Sequence, residues 1–201
     1  MTEKVFQKII KDTQKYIITY AKKNGWMLFY RMHQKEMVDC AKKLLKVYKA
    51  DEKLVVVACW LHDVTKYQAK NNKKSISKFH KTHHLDGYEF TKKFLKKYEI
   101  SEKEIEAIAQ CVLRHRNSPP YQAKKIEEKI IATADVMSHF VSLFYLTYFK
   151  FYPNDTMEKM TENQIRKLDR DWRDLQLLPK AKKMVEREYK VIRKLIENYN
   201  D

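Results

Sequence analysis

Turn-forming residues are scarce throughout this sequence, and their scarcity limits what the chain can fold into. The chain has two glycines, Gly25 and Gly87, and four prolines among its 201 residues. β-Sandwiches, collagen-like chains and low-complexity chains need many more of these residues, so all three classes are excluded. The two glycines also lie too far apart to form a P-loop or a dinucleotide-binding fingerprint, both of which need several glycines in one short loop.

Apolar residues recur at helical spacing along the whole chain, which predicts an all-α fold. Helices are predicted at residues 3–23, 32–49, 52–62, 83–98, 102–115 and 124–150, after a cap at Thr161, and from Pro179 to about Asn198. Asn24-Gly25 is a typical helix C-terminus, and Ser101 with Glu104 forms a capping box. Residues 67–80 are rich in Asn, Lys and Ser and are predicted to form a loop.

The charge balance is strongly basic. Lysine and arginine number 42 against 26 acidic residues, which gives a formal net charge of +16 and a sequence pI near 9.6. Such an excess favours anionic partners, namely phosphate esters, nucleic acid or a membrane surface. The alternative interpretation is a lysine-rich helical surface that is simply solvated.

The three cysteines, Cys40, Cys59 and Cys111, lie far apart in apolar surroundings. An odd number without a CxxC pair argues against a disulfide framework and against a thiolate zinc site. Residues 1–15 are polar and charged, unlike a signal peptide. The sequence therefore predicts buried free thiols in a cytoplasmic protein.

One apolar stretch, residues 130–149, is long enough to cross a membrane. Asp135 lies inside it, and an Asp in a membrane-spanning helix costs about 2.5–3.5 kcal/mol. We therefore expect a buried core helix and no membrane contact. His139 lies in the same stretch and is predicted to be a core residue.

Histidines and aspartates interrupt the apolar helices, mostly at the helix ends. They are His33, His62-Asp63, His83-His84, His115 and Asp135. A carboxylate in apolar surroundings is costly unless it is paired or binds a metal. Imidazoles with carboxylates are the usual ligands of Zn²⁺, Mn²⁺ and Fe, with Mg²⁺ at oxygen-rich positions. The pattern therefore predicts a metal site.

These residues fall into an ordered set of motifs. The set is Arg31-x-His33, Leu61-His62-Asp63-Val64-Thr65-Lys66, His84-x-x-Gly87, His115 and Ala134-Asp135. In order and spacing it resembles the HD-domain superfamily of metal-dependent phosphohydrolases, over residues 28–150. The resemblance implies a single all-α, HD-domain-like helical bundle at 28–150. An N-terminal helix within 1–27 is expected to pack on this bundle, and a C-terminal helical pair within 151–201 is expected to be appended to it.

The resemblance also implies one or two divalent metal ions, drawn from Mn, Fe, Ni, Co, Zn and Mg. The ligands that it implies for the first ion are His33, His62, Asp63 and Asp135. For a second ion it implies His84 and His115, with Asp63 bridging the two ions. His83 is the alternative to His84, and the spacing to Gly87 favours His84.

The activity implied is hydrolysis of a phosphate ester or anhydride by metal-activated water. The expected substrate is a nucleotide or another small phosphorylated metabolite. Asp63 and Lys66 are the expected catalytic residues, with Asp63 orienting the water and Lys66 also contacting phosphate. Substrate-binding roles are further expected for Arg31, Arg114 and Arg116.

Three other interpretations stay open at this point. The first is a di-iron oxygenase, because some HD-like proteins use the same ligand set for that chemistry. The second is a basic, helical nucleic-acid-binding protein without catalysis, which accounts for the charge but leaves Asp63 and Asp135 unexplained. The third is a regulatory protein whose metal site holds or senses a nucleotide without turnover.

Overall fold

The computed structural model describes residues 1–71, 73–147 and 155–198, and of residues 73–80 it describes the backbone alone. Within these ranges the chain forms α-helices, 3₁₀ turns and a π-helical turn, and no β-strand. The all-α fold class predicted from the sequence is confirmed.

The α-helices, in chain order, are α1 (Glu3–Asn24), α2 (Met27–Phe29), α3 (Lys35–Leu45), α4 (Glu52–Leu61), α5 (Lys73–Leu95), α6 (Glu102–Arg114), α7 (Ile126–Phe140), α8 (Met157–Asp174) and α9 (Lys180–Glu197). The 3₁₀ turns are Val64–Gln68, Tyr145–Thr147 and Leu175–Leu177. The π-helical turn, Tyr30–Gln34, joins α2 to α3. The sequence predicted one ordinary helix over 32–49, and its pattern did not indicate the π-helical turn.

Two helix ends follow the capping chemistry that the sequence predicted. Helix α1 ends before Gly25, whose φ of 83° lies in the left-handed region that glycine adopts without strain. Helix α6 begins after Ser101, whose hydroxyl accepts a hydrogen bond from the Glu104 backbone N–H at 3.3 Å. The Glu104 carboxylate in turn accepts from the Ser101 backbone N–H at 2.9 Å. This reciprocal pair satisfies two N–H groups that a helix start leaves unpaired.

The predicted loop at 67–80 is wrong in its second half. Helix α5 begins at Lys73 and continues to Leu95, so it covers residues that were expected to precede a helix at 83. Residues 73–86 contain neither glycine nor proline, and lysine is a good helix former. The polar composition of this stretch was therefore a weaker signal than its lack of helix-breaking residues.

Helix boundaries also differ in the C-terminal third of the chain. Helix α7 was predicted to reach residue 150, but it ends at Phe140. The last three residues of that prediction, 148–150, lie outside the described ranges. Helix α8 was predicted to be capped by Thr161. It begins at Met157 instead, where Thr156 accepts a hydrogen bond from the Lys159 backbone N–H at 3.3 Å. Both threonines can act as caps, and local sequence does not rank them.

Helix α4 lies at the centre of the core. Residues 55–61 are all buried, and the helix contacts α1, α3, α6 and α7. This enclosure on every side explains the uniformly apolar run that predicted a buried helix. His62 and Asp63, which follow the last turn of α4, are buried as well.

The close packing of α5 on α6 depends on Gly87. A Cβ atom at this position would lie 3.0 Å from Val112 Cγ1 and 3.5 Å from the His62 carbonyl oxygen. The absence of a side chain therefore lets α5 approach both α6 and the end of α4, which carries His62 and Asp63.

The C-terminal helices α8 and α9 pack against each other and against α7. Helix α1 packs against α4 and the 3₁₀ turn Val64–Gln68. These contacts accord with a central bundle that has helices added at both ends, while the boundaries proposed at 27 and 150 stay predictions. Among the helices that the structure describes, none combines the length and apolar character needed to cross a membrane. The three cysteines are free and buried.

Candidate metal centre

The predicted ligands are carried by five helical segments that meet around the end of α4. His33 lies in the π-helical turn, and π-helical turns are often found at functional sites. His62 follows the last residue of α4, and His115 follows the last residue of α6. Helix α5 contributes His83 and His84, and α7 contributes Asp135. A helix end is a suitable position for a metal ligand, because a side chain there is not confined to the packed face of the helix.

His33 lies at the centre of the first group of ligand atoms. Its Nε2 atom lies 3.1 Å from His62 Nε2 and 3.2 Å from Asp135 Oδ1. It lies 4.0 Å from Asp63 Oδ2, which is itself 3.6 Å from His62 Nε2. The structure therefore brings together the four residues predicted for a first metal: His33, His62, Asp63 and Asp135.

The outer ring nitrogens of these histidines are held by hydrogen bonds. His62 Nδ1 lies 2.8 Å from the Cys59 carbonyl oxygen, so it must be the protonated donor. His33 Nδ1 lies 2.8 Å from Ser138 Oγ, and that hydroxyl already donates to the Asp135 carbonyl oxygen at 2.6 Å. His33 therefore donates from Nδ1 as well. Each imidazole is left with its Nε2 lone pair facing the other, an arrangement that a shared cation satisfies.

A second group of ligand atoms lies on the other side of Asp63. Asp63 Oδ1 is 3.7 Å from His83 Nε2, which is 3.1 Å from His115 Nε2. His115 Nδ1 donates to the Val112 carbonyl oxygen at 2.7 Å, so its Nε2 is also an available ligand atom. The two oxygens of Asp63 thus face different histidine groups, as a bridging carboxylate would.

The histidine that joins His115 is His83, whereas the sequence favoured His84. The His84 ring instead lies 5.5 Å from the Tyr121 ring, and its buried Nδ1 has no hydrogen-bond partner among the residues that the structure describes. Adjacent residues point about 100° apart on an α-helix, so only one of the two can face Asp63. No local signal separated the two, because both histidines are buried and the rotation of α5 about its axis decides which one faces Asp63.

Burial and charge set the protonation of the cluster. Burial lowers the pKa of His33 to about 4, and burial also lowers the pKa of His115. Burial alone would raise the pKa of Asp63, but the neighbouring Lys66 ammonium contributes to holding it well below its usual value. Neutral imidazoles beside an ionised carboxylate are the protonation states in which these groups bind metal ions.

Lys66 lies inside the site, as expected, but in direct contact with Asp63. Its Nζ is 3.4 Å from Asp63 Oδ2 and 3.4 Å from the centre of the Phe29 ring. Burial lowers the pKa of Lys66, while Asp63 opposes that shift. The lysine therefore compensates the charge of the Asp63 carboxylate.

The three arginines expected to bind substrate differ in their surroundings. Arg114 donates from Nη1 to the Gln122 carbonyl oxygen at 2.7 Å and from Nε to Gln110 Oε1 at 2.9 Å. These bonds orient its guanidinium, and the substrate contact expected for Arg114 stays a prediction. Arg31 and Arg116 are exposed, and burial together with the charge of Arg116 lowers the pKa of His84.

The site contains a further histidine that was not among the predicted ligands. His139 was predicted to be a core residue, and it is buried, yet its Nε2 lies 3.9 Å from Asp135 Oδ1. Its Nδ1 lies 2.9 Å from Asp171 Oδ2, which belongs to α8. His139 follows Asp135 by four residues and so shares its helix face, a signal available in the sequence. Nothing in the sequence indicated Asp171.

The donor set fits a divalent metal ion. Within the described residues, three groups each offer ligand atoms that all lie within 4.8 Å of one another. They are His33, His62 and Asp63; His33, Asp135 and His139; and Asp63, His83 and His115. All the donors are imidazole nitrogens or carboxylate oxygens, which suit Zn²⁺, Mn²⁺ and Fe.

The fold and the site together define a class: all-helical proteins with a buried histidine–aspartate site for divalent metal ions. A family model, described as HD domain, matches residues 30–139, which is more than half of the chain. The chain therefore belongs to the HD-domain superfamily of metal-dependent phosphohydrolases. No curated protein and no solved structure matched the chain.

Proposed function

We propose that this chain hydrolyses a phosphate ester or anhydride and that its substrate is a nucleotide or another small phosphorylated metabolite. The position of Asp63 carries the proposal. Its Oδ2 faces His33 at 4.0 Å, and its Oδ1 faces His83 at 3.7 Å. One carboxylate between two ligand groups suits a pair of divalent ions, an arrangement widely used for phosphoryl chemistry.

Divalent ions at these positions would lower the pKa of a bound water toward neutrality and polarise the phosphoryl oxygens. The role of the protein's own residues is to hold the ligand atoms in place. The hydrogen bonds on the Nδ1 atoms of His33, His62 and His115 fix the orientation of the three rings. Asp63, kept ionised, is proposed to accept a hydrogen bond from the attacking water and to orient it.

Positive charge around the cluster supports an anionic substrate. Lys66 is proposed to counter the negative charge that develops on the phosphoryl group during attack. The exposed arginines Arg31 and Arg116 are proposed to attract the substrate, and the formal net charge of +16 adds a long-range attraction. The same role is proposed for Arg114, whose guanidinium is oriented by hydrogen bonds to Gln110 and Gln122.

Elemental analysis of the purified protein, followed by a substrate screen, tests the proposal. The screen offers p-nitrophenyl phosphate, bis-p-nitrophenyl phosphate, nucleoside monophosphates and nucleoside triphosphates with Mn²⁺, Co²⁺, Ni²⁺ or Mg²⁺. We expect metal-dependent release of phosphate or of the alcohol, and at least about a 100-fold loss in Asp63→Asn. Asp39→Asn, the same change at an exposed position of α3, is the matched control and should retain activity.

Three results would contradict the proposal. One is a metal-loaded protein that hydrolyses none of these substrates. Another is oxygen consumption with ferrous iron, which would favour the di-iron oxygenase. The third is a tight complex with random DNA or RNA at moderate salt that needs no metal, together with an inactive screen, which would favour a nucleic-acid-binding protein.

A further inference from the structure

The strongest feature left unused by the proposed reaction is a buried polar cluster between α7 and α8. At its centre is Asp171 of α8, whose Oδ2 accepts three hydrogen bonds. The donors are His139 Nδ1 at 2.9 Å, the Tyr145 hydroxyl at 2.9 Å and Lys167 Nζ at 2.7 Å. The aspartate is only 3% exposed, so its charge depends on these partners.

The same cluster reaches the first group of ligand atoms through His139. Its ring packs against the ring of Phe144, with ring centres 3.9 Å apart, and against the ring of His33, with ring centres 5.4 Å apart. Its Nε2 lies 3.9 Å from Asp135 Oδ1. Because an ionised carboxylate only accepts hydrogen bonds, the proton of His139 lies on Nδ1 and the Nε2 lone pair faces Asp135.

We infer that His139 is an additional ligand of the first metal ion and that Asp171 of α8 is the residue that positions it. A suitable ligand atom of His139 lies within 4.8 Å of those of His33 and Asp135, which are both in the set already assigned to that ion. A carboxylate that accepts from the outer nitrogen of a metal-binding imidazole is a common arrangement, because it fixes the ring and makes the inner nitrogen more basic. This inference rests on the proposed metal centre and is independent of the proposed reaction.

The arrangement gives the C-terminal helices a part in the site. Helix α8 packs against α7, and Asp171 and Lys167 of α8 both contact His139. Tyr145 and Lys167 keep the carboxylate of Asp171 in place, and the Lys167 ammonium balances its charge. The metal centre therefore uses residues from α8 as well as from the bundle matched by the family model, which ends at residue 139.

Calorimetric titration of the metal-free, full-length protein with Mn²⁺ tests the inference. We expect His139→Ala to weaken the first binding event by at least about 10-fold, and Asp171→Asn to weaken it by about 10-fold. Titration with Co²⁺ supplies a second readout, since loss of an imidazole ligand changes the visible absorption spectrum of the bound ion. Asp169→Asn is the matched control, because it makes the same change as Asp171→Asn at an exposed position of α8, two residues earlier. It should bind Mn²⁺ within about 2-fold of the unmodified protein.

The outcomes separate this inference from the proposed function. Unchanged Mn²⁺ affinity and an unchanged Co²⁺ spectrum in His139→Ala would show a purely structural histidine and overturn the inference. Should the alanine variant fail to fold, as judged by circular dichroism, His139→Gln carries the same comparison. An unmodified protein that binds Mn²⁺ but hydrolyses nothing would overturn the proposed function alone, and one that binds no metal would overturn both.

Discussion

The choice between two adjacent histidines decides how the second group of ligands is built. His83 Nε2 lies 3.1 Å from His115 Nε2 and 3.7 Å from Asp63 Oδ1, while the His84 ring lies against Tyr121. Both histidines are buried, so burial alone does not distinguish a ligand from a packed side chain.

Alanine substitution at each position should therefore have different effects on metal content. We expect His83→Ala to lose one metal ion per chain, because Asp63 and His115 alone make a poor site, and His84→Ala to keep both ions. Elemental analysis after dialysis against excess Mn²⁺ counts the ions. Loss of an ion in His84→Ala but not in His83→Ala would restore the assignment that the sequence favoured.

Asp135 provides a second test at the level of single residues. Asp135→Ala should abolish binding at the first site, since it removes a carboxylate that lies 3.2 Å from His33 Nε2. In metal-free protein, Asp135→Leu should leave the melting temperature unchanged or raise it. The reason is that His33 is neutral, so removing the Asp135 carboxylate leaves no unpaired charge buried beside it. A sharp fall in the melting temperature of metal-free Asp135→Leu would instead identify Asp135 as a structural hydrogen-bonding residue.

Among the helices, the contact between α5 and α6 determines where His83 lies relative to His115. Gly87 is one turn after His83, and a Cβ there would lie 3.0 Å from Val112 Cγ1. Val112 is β-branched and fully buried, so it has little freedom to move away. The lack of a side chain at Gly87 is therefore part of the geometry of the site.

A double-mutant cycle at this contact tests the argument. Gly87→Ala gains about 1 kcal/mol of helix propensity but overpacks the interface at a cost of about 1–3 kcal/mol, so we expect a net loss of stability. In a Val112→Ala background the added methyl group has room, and Gly87→Ala should be neutral or stabilising. Urea denaturation of the four proteins measures the coupling. Additive effects would show that the approach of α5 to α6 does not depend on Gly87.

For the whole molecule, the core encloses every cysteine of the chain. Cys40, Cys59 and Cys111 are each at most 1% exposed. Burial raises the pKa of Cys40 to about 12, and it also raises the pKa values of Cys59 and Cys111. A buried neutral thiol is both inaccessible and a weak nucleophile.

The native protein should therefore be inert toward Ellman's reagent at pH 8. We expect no fast reaction in buffer and reaction of all three thiols once guanidinium chloride unfolds the chain. Absorbance at 412 nm follows the released thiolate, and the unfolded sample serves as the control for total thiol. Rapid labelling of one cysteine in the native protein would mean that the core opens locally near that residue.

Local sequence was sufficient for most of the elements and for five of the residues at the site. The starts and ends of α1 and α6 follow from caps and apolar periodicity, which involve neighbours a few residues apart. His33, His62, Asp63, His115 and Asp135 could be singled out because polar residues interrupting apolar helices need partners wherever the helices pack. The loop predicted at 67–80 and the long helix predicted to 150 were wrong because composition indicates helix ends only weakly where strong caps are missing.

What only the tertiary structure decided is how each helix is rotated about its axis and which distant residue it meets. Rotation of α5 brings His83 rather than His84 to Asp63, and adjacent positions differ by about 100°. The packing of α8 on α7 brings Asp171 to His139 across 32 positions of sequence. Such pairs depend on the packing of side chains from several helices at once, and no local pattern of residues encodes that.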